Sequence, residues 1–302
     1  MNIIRNGGGV PYSGTVVALG NFDGLHKAHM EIVYQCREYA RENDLKCGVL
    51  LFKEHTQKTL KNKEVRVITQ EKQKLRILKD ADMDFVYLRD FDKEFMQLSP
   101  EMFIDKLISS LHIKAVCVGY DYRFGYMAKG DTSLLEELGK SRGFDVIIVD
   151  EIDHDGVTVK STAIRHYIEA GSVKHAANML GRHFAIEGRV VQGKQNGRKI
   201  GFPTANIEYG DDMLIPYQGV YTGYAYVDGK KYKCITNVGD NPTFDGDKIT
   251  IESHILDFDE DIYDKTITIE FIRRIRGVRK FSSIDALIEQ IRGDEQVARR
   301  EL

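Results

Sequence analysis

Along the first half of the chain, short runs of consecutive apolar residues alternate with stretches whose apolar residues recur every three or four positions. The runs are Thr15 to Leu19 (TVVAL), Cys47 to Phe52, Phe85 to Leu88, Ala115 to Gly119 (AVCVG) and Asp145 to Val149. The periodic stretches are His26 to Asn43, Gln70 to Lys79, Glu101 to Leu111 and Leu134 to Lys140. A run that is apolar at every position has to be covered on both faces, whereas a periodic stretch needs cover on one stripe only. Strands of the first kind alternating with helices of the second predict a parallel, doubly wound α/β sheet. Ser99 and Pro100 suit the N-cap and first turn of one of these helices.

The pattern changes near residue 181. Ser161/Thr162 open a helix that stops at Gly171, and Ser172 opens another that ends at Gly181. Beyond them lie strand-like segments: Ala185 to Val191, Val220 to Val227, Lys231 to Val238, Ile249 to Leu256 and Thr266 to Ile272, separated by turns such as Asp228-Gly229. They predict a small antiparallel β-barrel. A last amphipathic helix, capped by Ser282 or Ser283, carries Ile284, Leu287, Ile288 and Ile291 on one face. The expected division is residues 1–181 and 182–302.

Composition narrows the function classes. The 302 residues are 42% hydrophobic and 29% charged, and no run approaches the roughly eighteen apolar residues of a membrane span. Met1 to Gly14 has no apolar core of a secretory signal. Cys36, Cys47, Cys117 and Cys234 are far apart and without metal-ligand spacing, which fits a reducing, cytoplasmic setting. A net charge of -3 offers no general attraction to nucleic acid. Neither a membrane nor an obligate protein partner is expected.

Two places carry chemistry. In GNFDGLHKAH a glycine-flanked turn leaves the first strand and enters a helix, so free backbone N–H groups and the helix dipole form an anion site. His26 and His29 lie one turn apart on that helix and can both reach one phosphate chain. Spacing alone equally describes two surface histidines at an exposed helix end. The second place starts at Gly188, where GRVVQGKQ nearly fits a phosphate-binding P-loop. It fails because Gln195 has no hydroxyl for magnesium and Val190-Val191 suit a strand. Gly193 to Gly201 (GKQNGRKIG) is a basic, glycine-punctuated loop able to fold over phosphates, or a plain hairpin turn. Glu252 alternates with isoleucines in ITIESHIL, and a strand carboxylate of this kind is usually just solvated.

Two further runs suggest chemistry and fall short of it. Asp257 to Asp261 has alternate carboxylates, but Ile262 and Thr268 stand where an EF-hand needs glycine and glutamate, which leaves a solvated hairpin loop. Arg273, Arg274, Arg276, Arg279 and Lys280 are strongly basic but lack the interleaved aromatic residues of an RNA-binding face.

Several blocks resemble one family. Gly20 to His29 is similar to the nucleotidylyltransferase signature G-x-F-D-G-x-H-x-G-H of bacterial bifunctional riboflavin kinase/FAD synthetases. Gly119-Tyr120-Asp121-Tyr122-Arg123-Phe124-Gly125 and Lys160-Ser161-Thr162-Ala163-Ile164-Arg165 resemble two later blocks of the same domain. Gly201-Phe202-Pro203-Thr204-Ala205-Asn206 matches the riboflavin kinase signature, and Gly219 to Tyr221, Asn237 to Phe244 and Glu252 to Phe258 extend the likeness.

The resemblance implies a Rossmann-like adenylyltransferase domain followed by a kinase barrel. The kinase would phosphorylate riboflavin to FMN, and the first domain would join FMN to an adenylate from ATP, releasing pyrophosphate as FAD forms. By the same resemblance His26 and His29 stabilise the triphosphate, and Gly20, Asn21, Phe22, Asp23, Asp121 and Arg123 shape the nucleotide and flavin pocket. Ser161, Thr162 and Arg165 grip phosphate, while Gly193, Gly201 and Pro203 belong to the kinase loop. Thr204 and Asn206 hold Mg2+ with ATP, and Glu252 is the general base. Riboflavin, FMN, FAD and ATP are the implied partners. Ala28 replaces a family glycine, Lys160 replaces a serine, and Phe52 to Thr56 lacks both prolines of F-x-P-H-P. These departures keep open a riboflavin kinase whose first domain is weakened or inactive in adenylyl transfer.

Overall fold

The computed structural model describes residues 1–5, 8–53, 66–193, 195–240 and 249–302. These residues form two compact units, Met1–Lys160 and Ser161–Leu302.

The first unit runs β1 (Asn2–Arg5), β2 (Thr15–Ala18), α1 (Lys27–Glu42), β3 (Lys46–Phe52), α2 (Glu71–Asp80), β4 (Phe85–Arg89), α3 (Lys93–Met96), α4 (Pro100–Leu111), β5 (Ile113–Gly119), α5 (Thr132–Arg142) and β6 (Asp145–Val149). A short hairpin, β7 (Asp153–His154) and β8 (Val157–Thr158), follows. The six long strands form one parallel sheet in the order β1-β4-β3-β2-β5-β6. Its continuous apolar runs follow from cover on both faces. Val16, Ala18, Val49 and Leu51 join one core cluster with Ile32, Val33 and Cys36 of α1, while Val17, Leu19 and Leu50 point into the other with Ile104 and Leu107 of α4. The helix starts obey capping chemistry: Ser99 Oγ accepts from Met102 N–H at 3.2 Å and Asp131 Oδ1 from Leu134 N–H at 3.0 Å. The chain leaves β2 toward β3 on one side and returns to β5 on the other. The crevice beyond the carboxyl ends of β2 and β5 is therefore the switch point where ligands of such sheets bind.

The second unit opens with α6 (Ser161–Glu169) and α7 (Val173–Leu180), then β9 (Phe184–Val191), a one-turn α8 (Asn196–Lys199), β10 (Ala205–Glu208), β11 (Gly219–Val227), β12 (Lys230–Asp240), β13 (Ile249–Ile255), β14 (Thr266–Arg276) and α9 (Ile284–Glu301). Six strands close an antiparallel barrel in the order β10-β13-β12-β11-β14-β9. Tyr221, Phe184 and Phe271 pack in its core, the Tyr221 ring edge-on to Phe271 at 5.3 Å. Outside the barrel, Ala298 of α9 is buried against Val220, Ile235 and Leu256.

The compact units part at Lys160/Ser161 rather than at 181/182, because α6 and α7 pack on the barrel: Tyr217 N–H donates to Ile168 O at 3.2 Å, and α7 lies on β9 and β14. Ser172 stands at the N-cap of α7, but its side chain makes no capping bond. Ala205 to Glu208, which begins inside the kinase signature and lies outside the predicted strands, is a barrel strand. The basic cluster is structural: Arg276 pairs with Asp294 at 2.7 Å, Arg273 with Glu301 at 2.5 Å, and Arg274 donates to Gln218 O.

Candidate functional sites at the sheet switch point and on the barrel

The turn after β2 holds an unusual backbone. Phe22 (φ 47°) and Leu25 (φ 40°) are both left-handed, a conformation that costs roughly 1–2 kcal/mol for a residue with a Cβ. Both side chains are fully buried in the core, which contributes about 2–3 kcal/mol each and holds the turn in place. Asp23 is 1% exposed and accepts from Ile68 N–H at 3.0 Å, so it shapes the turn from within. His26 is the N-cap of α1: its Nδ1 accepts from His29 N–H at 3.3 Å. With Nδ1 used as an acceptor, the neutral ring carries its proton on Nε2. The His26 and His29 rings stack with centroids 3.6 Å apart, and Phe22 lies edge-on to His29.

Across the switch point, β5 ends at Gly119 and delivers Tyr120 and Asp121. Lys160 Nζ stands 3.8 Å from both Asp121 Oδ2 and Glu151 Oε1, and Tyr120 O–H donates to Glu151 at 2.5 Å. The Tyr120 hydrogen bond and the nearby carboxylates hold the Lys160 ammonium pKa above its ordinary value, and the Tyr120 hydroxyl holds the Glu151 carboxyl below its own. Arg123 is committed to Asp131 at 3.2 Å. Ser161, Thr162 and Arg165 lie in the first turns of α6, which belongs to the second unit. Ala28 is half-buried in the first turn of α1, a regular helix start. Glu54 to Thr56 lie outside the described residues.

On the barrel a cavity of about 340 Å³ collects Gly193, Pro203, Thr204 and Asn206. A methyl group at Gly193 would stand 2.4 Å from Asn206 Nδ2, so only glycine leaves the amide its place. Gly201, at φ 88°, turns the chain from α8 toward Pro203. Asn206 on β10 is directly opposite Glu252 on β13, and Glu252 is in turn opposite Asn237 on β12. Opposed residues on antiparallel strands share a face, which groups these three side chains. Ile251, Ser253 and Ile255 are buried while Glu252 and His254 are partly exposed, the expected alternation. Asn241 to Phe244 lie outside the described residues.

The cavity lining also includes residues that sequence reading did not assign to a site: Asp259, Glu260, Asp261 and Tyr263. Within Asp257 to Asp261, expected to be only a solvated loop, Asp259, Glu260 and Asp261 are exposed and line the cavity. The signal was their position directly after the Glu252 strand. Arg198 lines the same cavity, and Gln195 Nε2 lies 3.5 Å from the Tyr263 hydroxyl.

A parallel sheet with a left-handed turn at its switch point and a closed barrel with its own cavity are the frame in which the comparisons place a nucleotide transferase. The family model for FAD synthetase matches residues 11–163 and that for riboflavin kinase residues 180–302. The chain is 35% identical to the bifunctional riboflavin kinase/FMN adenylyltransferase of Listeria monocytogenes, with 94% of this chain and 91% of that one covered. Against the Escherichia coli K12 enzyme of the same name, identity is 36% over 98% and 95%. A Streptococcus pneumoniae crystal structure, described as a macrolide-efflux protein, superposes with a TM-score of 0.90 at 33% identity and 99% coverage of both chains. The efflux name attaches to that protein alone, and among the described residues of this chain no helix is long and apolar enough to cross a membrane.

The chain belongs to the bifunctional riboflavin kinase/FMN adenylyltransferase family. It phosphorylates riboflavin to FMN and adenylylates FMN to FAD, with ATP as co-substrate of both steps.

Proposed function

We propose that the barrel cavity is the kinase site and that the crevice beyond β2 and β5 is the adenylyltransferase site, functional domains 1–181 and 182–302 sharing the chain. The kinase assignment is carried by one observation: Asn206 lines the cavity beside Thr204 and stands in register opposite Glu252. The ribityl hydroxyl oxygen bonds to the γ-phosphorus of ATP as the bond to the β,γ-bridging oxygen breaks. ADP leaves, and Glu252 accepts the hydroxyl proton. The Thr204 hydroxyl and Asn206 amide oxygen are hard ligands that suit Mg2+, and the clearance at Gly193 supports that fit. When bound, the ion neutralises phosphate charge; the residues themselves orient the nucleotide in the cavity.

In the first unit, an FMN phosphate oxygen attacks the α-phosphorus of ATP as the bond to the α,β-bridging oxygen breaks and pyrophosphate leaves. Such a transfer asks for positioning and charge neutralisation. The α1 N-terminus with His26 Nε2 and His29 supplies donors. Gly20, Asn21, Phe22 and Asp23 form the turn and Asp121 and Arg123 its far wall; Ser161, Thr162 and Arg165, on α6 of the second unit, keep the phosphate-binding role that the family resemblance implies. Lys160 brings a cation where the family has a serine. Four buried cysteines, none in a disulfide, favour the cytoplasm.

The test is a chromatographic time course with purified protein, riboflavin and Mg-ATP. FMN is expected first and FAD after it. FMN that accumulates without FAD overturns the adenylyltransferase assignment and leaves a kinase with a repurposed first domain.

A further inference from the structure

We propose that His254 is a positioning residue of the kinase reaction, tethering the Pro203-Thr204 peptide to the terminal helix; the proposal rests on the reading of Thr204 as a holder of Mg-ATP. His254 Nδ1 is 2.7 Å from Pro203 O, and its Nε2 is 3.1 Å from Glu295 Oε1 on α9. The ring is packed edge-on against buried Phe202 at 5.6 Å, and its side chain is only 13% exposed. A carbonyl oxygen only accepts, so Nδ1 is the donor in this contact.

Pro203 explains why the tether falls there. Proline has no N–H, so its carbonyl is the one backbone group through which this residue can be held. Two residues upstream Gly201, at φ 88°, turns the loop, and immediately downstream Thr204 lines the cavity. Phe202 N–H is held by Gly197 O at 2.8 Å, and the His254 bond adds a second fixed point directly beside Thr204. Glu295 is itself set by its neighbour: Asp294, 4% exposed, accepts from Arg276 of β14 and from Gln290. The path from barrel wall to Thr204 thus runs through Arg276, Asp294, the helix, Glu295, His254 and Pro203. Of these groups only Pro203 lines the cavity, so the effect of the others is on geometry.

The experiment measures both activities of the full chain carrying His254→Ala, His254→Asn or His254→Gln, alongside Thr204→Ala and thermal unfolding of each. An asparagine amide nitrogen reproduces Nδ1 and reaches Pro203, whereas a glutamine nitrogen reproduces Nε2. Loss of one positioning hydrogen bond predicts a rise of about tenfold in the KM for Mg-ATP in His254→Ala, with the riboflavin KM and FMN adenylylation within about twofold. His254→Asn should return the KM to within about threefold, and His254→Gln should not. Equal kinetics for the Asn and Gln variants, a wild-type Mg-ATP KM in His254→Ala, or losses that only track a fall in Tm overturn the proposal. Thr204→Ala separates the two readings: if it leaves Mg-ATP use unchanged, the Thr204 assignment fails and takes the tether with it. If it is impaired while His254→Ala is normal, the tether alone fails.

Discussion

The two units place their polar side chains by opposite means. Every residue of β2 is buried, so the sheet can present chemistry only beyond its strand ends. There a turn with left-handed Phe22 and Leu25 delivers His26 to a helix start. On the barrel the polar groups sit within the strands, and register alone brings Asn206, Glu252 and Asn237 together. The first site depends on a backbone conformation held by buried side chains. The second depends on alternation, so a side chain can be removed there with the frame left standing.

That difference predicts a clean separation at Glu252. Glu252→Ala should lower the kinase kcat by about 10³-fold, the scale of a lost general base, while FMN adenylylation and Tm stay near wild type. The measurement is steady-state FMN formation from riboflavin beside FAD formation from supplied FMN. Equal loss of both activities would remove Glu252 from its role and break the contrast.

At His26 the two functions of one ring are separable. His26→Ala deletes both the Nε2 donor and the cap to His29 N–H, so FAD formation should fall about 10²-fold and stability by about 1 kcal/mol. His26→Asn restores a capping oxygen but no donor at the Nε2 position. Its Tm should recover while its rate does not, which calorimetry and the FAD assay read independently. A recovered rate would make His26 a structural cap only.

Asp294 tests the barrel frame rather than its site. The carboxylate is buried and accepts from Arg276 and Gln290, and Asp294→Ala would leave the guanidinium without it. Arg276 keeps 20% of its side chain exposed, so water relieves part of the penalty and about 2 kcal/mol is expected, below the cost of breaking a fully buried pair. Denaturant unfolding followed by barrel tyrosine signals reads it; a loss under 0.5 kcal/mol, roughly the surface-pair scale, would show the pair to be decorative.

Much of this was legible because burial writes itself into period. Runs such as AVCVG and the alternation in ITIESHIL predicted both architectures, Ser99 announced a helix start by capping chemistry, and of Ser282 and Ser283 the second is the cap. What stayed hidden depends on contacts far apart in sequence. Nothing local says that α6 and α7 pack on the barrel, since their apolar faces would suit either unit. The acidic residues Asp259 to Asp261 read as solvated loop because a carboxylate run looks the same whether it faces water or a cavity. His254 stands in the sequence only as one polar position of ITIESHIL; its role needs Pro203 and Glu295, 51 and 41 residues away. Proximity of this kind is set by barrel closure, which no local pattern records.

The smallest expected effect lies at the end of the sheet opposite its site. Asp84 precedes β4 and binds the start of β3, accepting from Lys46 Nζ at 2.9 Å and Cys47 N–H at 3.0 Å. Partial burial pushes its carboxyl pKa up, but these two donors outweigh it and hold the pKa below its ordinary value. The unfolded chain, with a carboxyl near 3.9, roughly, therefore binds more protons than the native one in this range. The stabilisation is present in full above the unfolded pKa and is lost as pH falls through the lower native value. Asp84→Asn keeps an acceptor for Cys47 N–H but loses the lysine pair, so a cost of about 1 kcal/mol or less at neutral pH is expected for so exposed a group. The variant should also show a flatter fall of Tm on acidification, the wild-type and variant curves converging below the native pKa. Curves that stay parallel to acid pH would mean that Asp84 does not couple protonation to the sheet, and both enzymatic rates should remain unchanged because Asp84 stands at the amino ends of the strands.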